Sequence, residues 1–437
     1  MNHPDGRFAL RSRRIVTLDR EVDGHVVVWA GRIAAVVPGE PPAALHAEDL
    51  GALALLPGLV DTHVHVNEPG RTEWEGFATA SRAALAGGVT TIVDMPLNSV
   101  PATTTVAALE AKRAAAAVAD VRVEFWGGVV PGNTADLAPL ARAGVRGFKC
   151  FLVPSGVDEF PGVGERELRD AMPEIARTKL PLLAHCELPG PIEGATAALA
   201  TADPRAYATW LASRPPEAEV EAIRLLLRLA AETKCRVHVV HLATAAALPD
   251  LRAARAAGRP VTVETCPHYL TFAAEDIAPG ATEYKCAPPI RGRAERDALW
   301  RALLDGDIDL VASDHSPCPP AMKRRDTGVW AEAWGGIASL ELGLPVVWTE
   351  ARRHGATLGH VARWMSAAPA DLAGLAPRAG RIEPGADADL VAFDPDATWS
   401  VDTTRLHQRH PLTPYAGRTV TGRVARVWRR GVERAIR

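Results

Sequence analysis

From residue 57 onward, short apolar runs rich in β-branched residues alternate with longer stretches whose apolar positions recur every three and four residues. The first pattern belongs to strands buried on both faces, the second to amphipathic helices. Eight runs qualify as strands, near 58–64, 89–95, 121–127, 145–152, 180–186, 236–241, 260–265 and 309–313. Helical stretches such as 104–119, 216–233 and 245–257 fall between most of them. Strands alternating with helices predict an α/β protein with a parallel sheet, and eight of them predict a (β/α)8 TIM barrel over 57–378. The two ends of the chain read differently. Residues 14–18, 25–29 and 33–37, and again 388–393 and 420–428, form short alternating runs punctuated by Asp-Gly and Ala-Gly turns and lone glycines. Neither end has enough apolar surface to fold alone, so 1–56 and 379–437 are expected to meet in one small β-sandwich around the inserted barrel.

Composition narrows the function classes. A chain of 437 residues has too much material for one ordinary core, as a barrel with an accessory domain requires. With 47% hydrophobic and 23% charged residues and a formal charge of -3, it has no basic surplus for nucleic acid. No apolar segment approaches a membrane span, and Asp5, Arg7, Arg11, Arg13 and Arg14 break any signal-peptide core at the start. The six cysteines are scattered without a Cys-x-x-Cys, the pattern of reduced thiols, and a cytoplasmic protein is expected.

Polar residues then fall where a barrel keeps its chemistry, at the carboxyl ends of strands. His63 and His65 close the first strand and, by the period of two, point the same way. Lys149 lies on the fourth strand, His185 ends the fifth, His241 ends the sixth and Asp314 follows the eighth. Neutral imidazoles beside a carboxylate suit a divalent metal. Lys149 is one of only six lysines among 49 basic residues, in an apolar strand where a bare ammonium is costly. Either it pairs with a buried carboxylate, or it reacts with carbon dioxide to give a carbamate that bridges two metals; burial favours the neutral amine that this reaction needs. His238 turns to the opposite side from His241 and reads as a packing residue, Cys150 and Cys186 as buried thiols. Glu187, Glu264 and Glu341 brace histidines or close salt links, and arginine-rich helix faces are solvated surface.

Taken together, the His-x-His pair, the strand lysine, two later histidines and the final aspartate resemble the amidohydrolase superfamily, in its cyclic-amidase branch of dihydroorotases, hydantoinases, dihydropyrimidinases and allantoinases. Within that branch the stretches 63–77 (HVHVNEPGRTEWEGF), 95–104 (MPLNSVPATT), 147–151 (GFKCF), 285–291 (KCAPPIR) and 313–318 (SDHSPC) look like the allantoinases. The resemblance implies two divalent ions, zinc first and cobalt, manganese or iron also acceptable. His63, His65 and Asp314 would hold one, His185 and His241 the other, with carboxylated Lys149 bridging them. It implies a metal-held hydroxide that attacks a ring amide, with Asp314 passing the proton to the leaving nitrogen. Asn67, Asn98, His268 and Cys286 become expected substrate neighbours, against structural readings as turn, cap and packing residues. A homo-oligomer, a tetramer as in relatives, is implied as well.

Two departures bear on substrate. Dihydroorotases carry an arginine two residues after the second histidine; here Asn67 stands there, and a substrate carboxylate left unpaired costs roughly 3–5 kcal/mol. Hydantoinases carry a tyrosine five residues after the lysine to stabilise the oxyanion; here that position is Pro154, followed by Ser155. The expected reaction is therefore the opening of allantoin to allantoate in purine breakdown. The alternatives are another cyclic amide, as for a hydantoinase or dihydropyrimidinase, or a scaffold without catalysis. The Pro/Gly-rich segments 154–164 and 317–328 follow the fourth and eighth strands and are expected to cover the mouth.

Overall fold

The computed structural model describes residues 6–436; residues 1–5 and 437, which the expected sandwich included, lie outside the described residues. Five strands open the chain: β1 (Arg7–Val16), β2 (Glu21–Trp29), β3 (Arg32–Pro38), β4 (Ala47–Asp49) and β5 (Ala54–Pro57). The insert contributes β6 (Leu59–Val64), β7 (Val89–Asp94), β8 (Arg122–Phe125), β9 (Gly127–Gly128), β10 (Phe148–Phe151), β11 (Leu182–His185), β12 (Val237–Val239), β13 (Val261–Thr265) and β14 (Leu310–Val311). Three more strands close it, β15 (Leu390–Ser400), β16 (Thr419–Arg429) and β17 (Val432–Arg434).

Both ends of the chain share one mixed sheet, in the order β17-β16-β15-β5-β1-β2-β3 with β4 paired to β1. They meet where β15 runs antiparallel to β5, with Val391 opposite Leu56 and Ala392 opposite Leu55. Phe8, Leu10, Ile15, Val26 and Leu55 pack there with Ile382, Leu390 and Trp428 in a separate apolar core. Each end supplies part of that core, which is why neither could bury its apolar face alone.

Every expected barrel strand is present. β6, β7 and β8 form one parallel run and β9 to β14 another. The third strand spans both runs. A single residue, Trp126, separates β8 from β9; its N–H donates to the Asp94 carbonyl, and that of Gly127 to the Gly147 carbonyl. The barrel closes through a parallel bridge between Val64 and His315. Outside it, the helix Pro216–Thr233 buries Val220, Ile223, Leu226 and Leu227 at the spacing that predicted it.

The ladders end sooner than the apolar runs do, because the last residues of each run turn toward the mouth. His241 (φ 40) and Asp314 (φ 45) have left-handed backbone, sparsely populated for residues with a Cβ. The mouth is tied to the outer helices by Lys112, fully buried, whose Nζ lies 2.6 Å from Asp94 Oδ2 and donates to the Met95 carbonyl at 2.7 Å. Lys112→Met leaves the Asp94 charge buried without its partner and is expected to destabilise the fold by about 3–5 kcal/mol in chemical denaturation.

Candidate metal centre

Six side chains from five strand ends converge. His63 Nε2 lies 3.1 Å and His65 Nε2 3.5 Å from Asp314 Oδ1, and the donor atoms of all three fall within 4.8 Å of one another. Beside them His185 Nδ1 faces His241 Nε2 at 2.9 Å, and the rings of His63 and His241 are 5.4 Å apart. Lys149 is fully buried on β10 and its Nζ has no hydrogen-bond partner. No carboxylate pairs with it among the described residues, so the salt-linked reading of this lysine is not what the structure shows. Burial pushes its ammonium down to about 8, which brings the neutral amine within reach of neutral pH. An orphaned buried amine within electrostatic reach of His65, His185 and His241 is a costly arrangement without a ligand, and it fits a carbamate and cations.

Buried carboxylates orient these donors. Glu264 on β13 accepts from His63 Nδ1 at 2.5 Å, from His238 Nε2 at 3.0 Å and from the His241 backbone N–H at 3.3 Å. His238 is therefore more than a packing residue: anchored at Thr262 Oγ1 (2.8 Å), it holds Glu264 in place. Glu187 accepts from His185 Nε2 at 2.8 Å. Glu341 bonds His407 and plays no part at the mouth. Burial opposes the charge of Glu264, but His63 and His238 outweigh it and hold the carboxyl well below its ordinary range. With the proton of His63 on Nδ1 and that of His185 on Nε2, the lone pairs of His63 Nε2 and His185 Nδ1 are left for ligation. Glu264→Gln is expected to lower metal retention or kcat/KM by about 10–100-fold, read by metal content after dialysis and by turnover.

A cavity of about 280 Å³ opens onto this cluster. Of the expected substrate neighbours, Asn98 and Cys286 line it, whereas Asn67 and His268 do not. Asn67 Nδ2 instead donates to the Pro317 carbonyl at 3.4 Å. His268 is fully buried beneath, without a partner on either ring nitrogen and grouped with Cys266 and Asp314. Segment 154–156 lines the mouth as expected, but 317–328 does not; Ala333 to Gly336 take that place. Two buried lysines hold this wall. Lys285 Nζ donates to the carbonyls of Trp330 and of Ala333 (2.6 Å), and Lys323 Nζ to those of Gly336 and of Trp334 (3.0 Å). Ser155, next to the position of the hydantoinase tyrosine, commits its hydroxyl to the carbonyls of Phe160 (2.5 Å) and Val157 (3.3 Å). Sequence reasoning missed Trp210 and Arg214, which form another wall and bring a guanidinium to the cavity. A wider groove of about 960 Å³ between residues 17–21 and 357–371 contains no comparable donor cluster among the described residues.

The description "Amidohydrolase family" matches residues 54–434. The chain is 53% identical to the allantoinase of Streptomyces avermitilis, a match that covers 98% of this chain and 95% of that protein. It is 42% identical to the allantoinase of Arabidopsis thaliana over 98% of this chain and 88% of that one. Among solved structures it resembles the L-hydantoinase (dihydropyrimidinase) from Arthrobacter aurescens, with a TM-score of 0.91, 30% identity and coverage of 98% of this chain and 95% of that one.

Proposed function

The chain belongs to the amidohydrolase family, and on that premise we propose that it hydrolyses the ring amide of allantoin to allantoate, the reaction of an allantoinase in purine breakdown. The observation that carries the chemistry is the convergence of His63, His65, His185, His241 and Asp314 on one small cavity, with the unpartnered Lys149 buried within electrostatic reach of them. Allantoin itself is supported by the relatives that match this chain end to end, which are allantoinases.

In this reading His63, His65 and Asp314 would hold one divalent ion and His185 and His241 a second, and Lys149, once carboxylated, would add a carboxylate to the donor set. When bound, such ions lower the pKa of water into the neutral range and polarise a carbonyl. Glu264 and Glu187 fix the tautomers of His63 and His185 before substrate arrives. The Oδ1 atom of Asp314 faces the two histidines, which leaves Oδ2 to take a proton from the attacking water and deliver it to the ring nitrogen that departs. The wall at 333–336 limits the volume open to water. Zinc is the ion proposed, in keeping with a donor set rich in imidazole. We also propose a cytoplasmic location, supported by six buried cysteines with no disulfide, and a homotetramer, supported by the resemblance to cyclic amidases. No helix among the described residues is long and apolar enough to cross a membrane.

Protein loaded with zinc in bicarbonate buffer is expected to open allantoin at least about a hundredfold more efficiently than hydantoin, dihydrouracil or dihydroorotate. Faster turnover of hydantoin would make the hydantoinase reading the correct one. Absence of turnover of all four substrates by metal-replete protein would leave the barrel as a scaffold.

A further inference from the structure

Arg214 follows the short helix Tyr207–Ser213 and lines the cavity above the donor cluster. Both hydrogen bonds of its side chain go to one acceptor: Nε donates to Glu187 Oε1 at 3.0 Å and Nη2 to Glu187 Oε2 at 2.5 Å. Nη1 is left without an acceptor among the described residues, and it is not sealed off, since the side chain keeps 15% of its exposure. The guanidinium is held on other sides as well. Its Cζ lies 5.4 Å from the centre of the Trp210 ring, which also carries Lys285 Nζ at 4.4 Å. Arg291 Nη1 donates to the Arg214 carbonyl at 3.3 Å. A cation restrained in this way loses little freedom when its remaining edge meets a ligand.

We propose that Arg214 is a specificity-determining residue whose Nη1 edge donates to the carbonyl oxygen of the substrate's ureido arm, selecting ring amides that carry such an arm over bare ones. This rests on the reading that allantoin is the substrate. The donor cluster cannot make that selection itself, because the ring amide it faces is common to allantoin and hydantoin. Glu187 already compensates the charge of Arg214, so a neutral carbonyl suits the free edge better than a second carboxylate. The cavity offers one other cation, Lys285, and its ammonium is spent on the carbonyls of the 330–333 wall.

Arg214 also supports Glu187, which orients His185, so the test must separate selection from support. We would measure kcat/KM for allantoin, hydantoin and a hydantoin substituted with a branched apolar (isobutyl) arm, which matches the ureido arm in length and branching. The proteins compared are the wild type, Arg214→Lys and Arg214→Gln, with metal content and thermal midpoint recorded for each. The wild type should favour allantoin over the isobutyl compound by roughly 10–100-fold, and both variants should lose about that factor for allantoin relative to hydantoin. A loss through Glu187 alone lowers all three substrates together; an allantoin-to-hydantoin ratio held within about threefold overturns the proposal. Should the variants fail to fold, the wild-type comparison decides, and equal turnover of the isobutyl compound and allantoin overturns it. A wild type that opens hydantoin but not allantoin overturns the substrate reading instead, which separates the two failures.

Discussion

Lys149→Ala is expected to lose at least about three orders of magnitude in kcat/KM for allantoin and most of its bound metal, while remaining folded. The amine sits fully buried with no hydrogen-bond partner, so removing it breaks no hydrogen bond and gives up only its contact with the Phe151 ring, 4.9 Å away. The truncation does leave a void, whose cost of about 2–5 kcal/mol is separable with Lys149→Met, a variant that keeps most of the volume and removes the nitrogen. Equal inactivity of the two variants, with near-native thermal midpoints for the methionine form, assigns the loss to the amine. Carbamate formation consumes the neutral amine, and burial pushes this ammonium down to about 8. Below that pH most of the group is charged and unreactive, so at a fixed concentration of dissolved, isotopically labelled carbon dioxide the initial uptake should rise by about tenfold per pH unit up to that point and then level off. Uptake independent of pH, or a methionine variant that retains metal and activity, would show that Lys149 is only a core residue.

The positions of the candidate donors and the barrel were legible for the same reason. Strand side chains alternate with period two, so an apolar run that ends in a polar residue both names a strand and places that residue at its mouth. His63, His65, His185 and Asp314 followed from that rule alone. What holds the donors did not. Glu264 lies 201 residues from His63, and no periodicity links them. Period two separates His238 from His241, and the pattern carries no sign of the carboxylate, Glu264, that His238 shares with His63 and the His241 backbone. The walls were the hardest part. Residues 333–336 belong to a loop whose direction depends on tertiary hydrogen bonds such as those from Lys285 and Lys323, and Trp210 and Arg214 sit on and just after a helix of only seven residues, Tyr207–Ser213. Arg214 was one arginine among many, and nothing local distinguishes a guanidinium held by a buried glutamate from one in solvent. Asn67 and Asn98 show the limit from the other side: both adopt φ 66, but only Asn98 turns onto the cavity.

Asp314→Asn is expected to reduce kcat by about 10²–10⁴-fold with a much smaller change in KM, because the amide keeps the shape of the side chain and cannot carry the proton. Two roles are assigned to this carboxylate, and the variant separates them. Burial opposes its charge, but His63 and His65 outweigh it and hold the carboxyl far below its ordinary range. The group is therefore ionised throughout the neutral region, and no change of pH between about 6 and 9 should restore the variant. If Asp314 served only to hold an ion, the remaining oxygen of asparagine would still ligate weakly, and saturating zinc would bring kcat back. If it carries the proton, saturating zinc restores occupancy without restoring turnover. A residual defect of about a hundredfold or more at full metal occupancy is the expected result. Recovery of kcat to within about threefold of the wild type would confine Asp314 to ligation and move the proton to another group. His268 is the nearest alternative on structural grounds: it is buried beside Asp314, has no other partner, and is held by burial near 4, so that it is neutral and able to accept a proton.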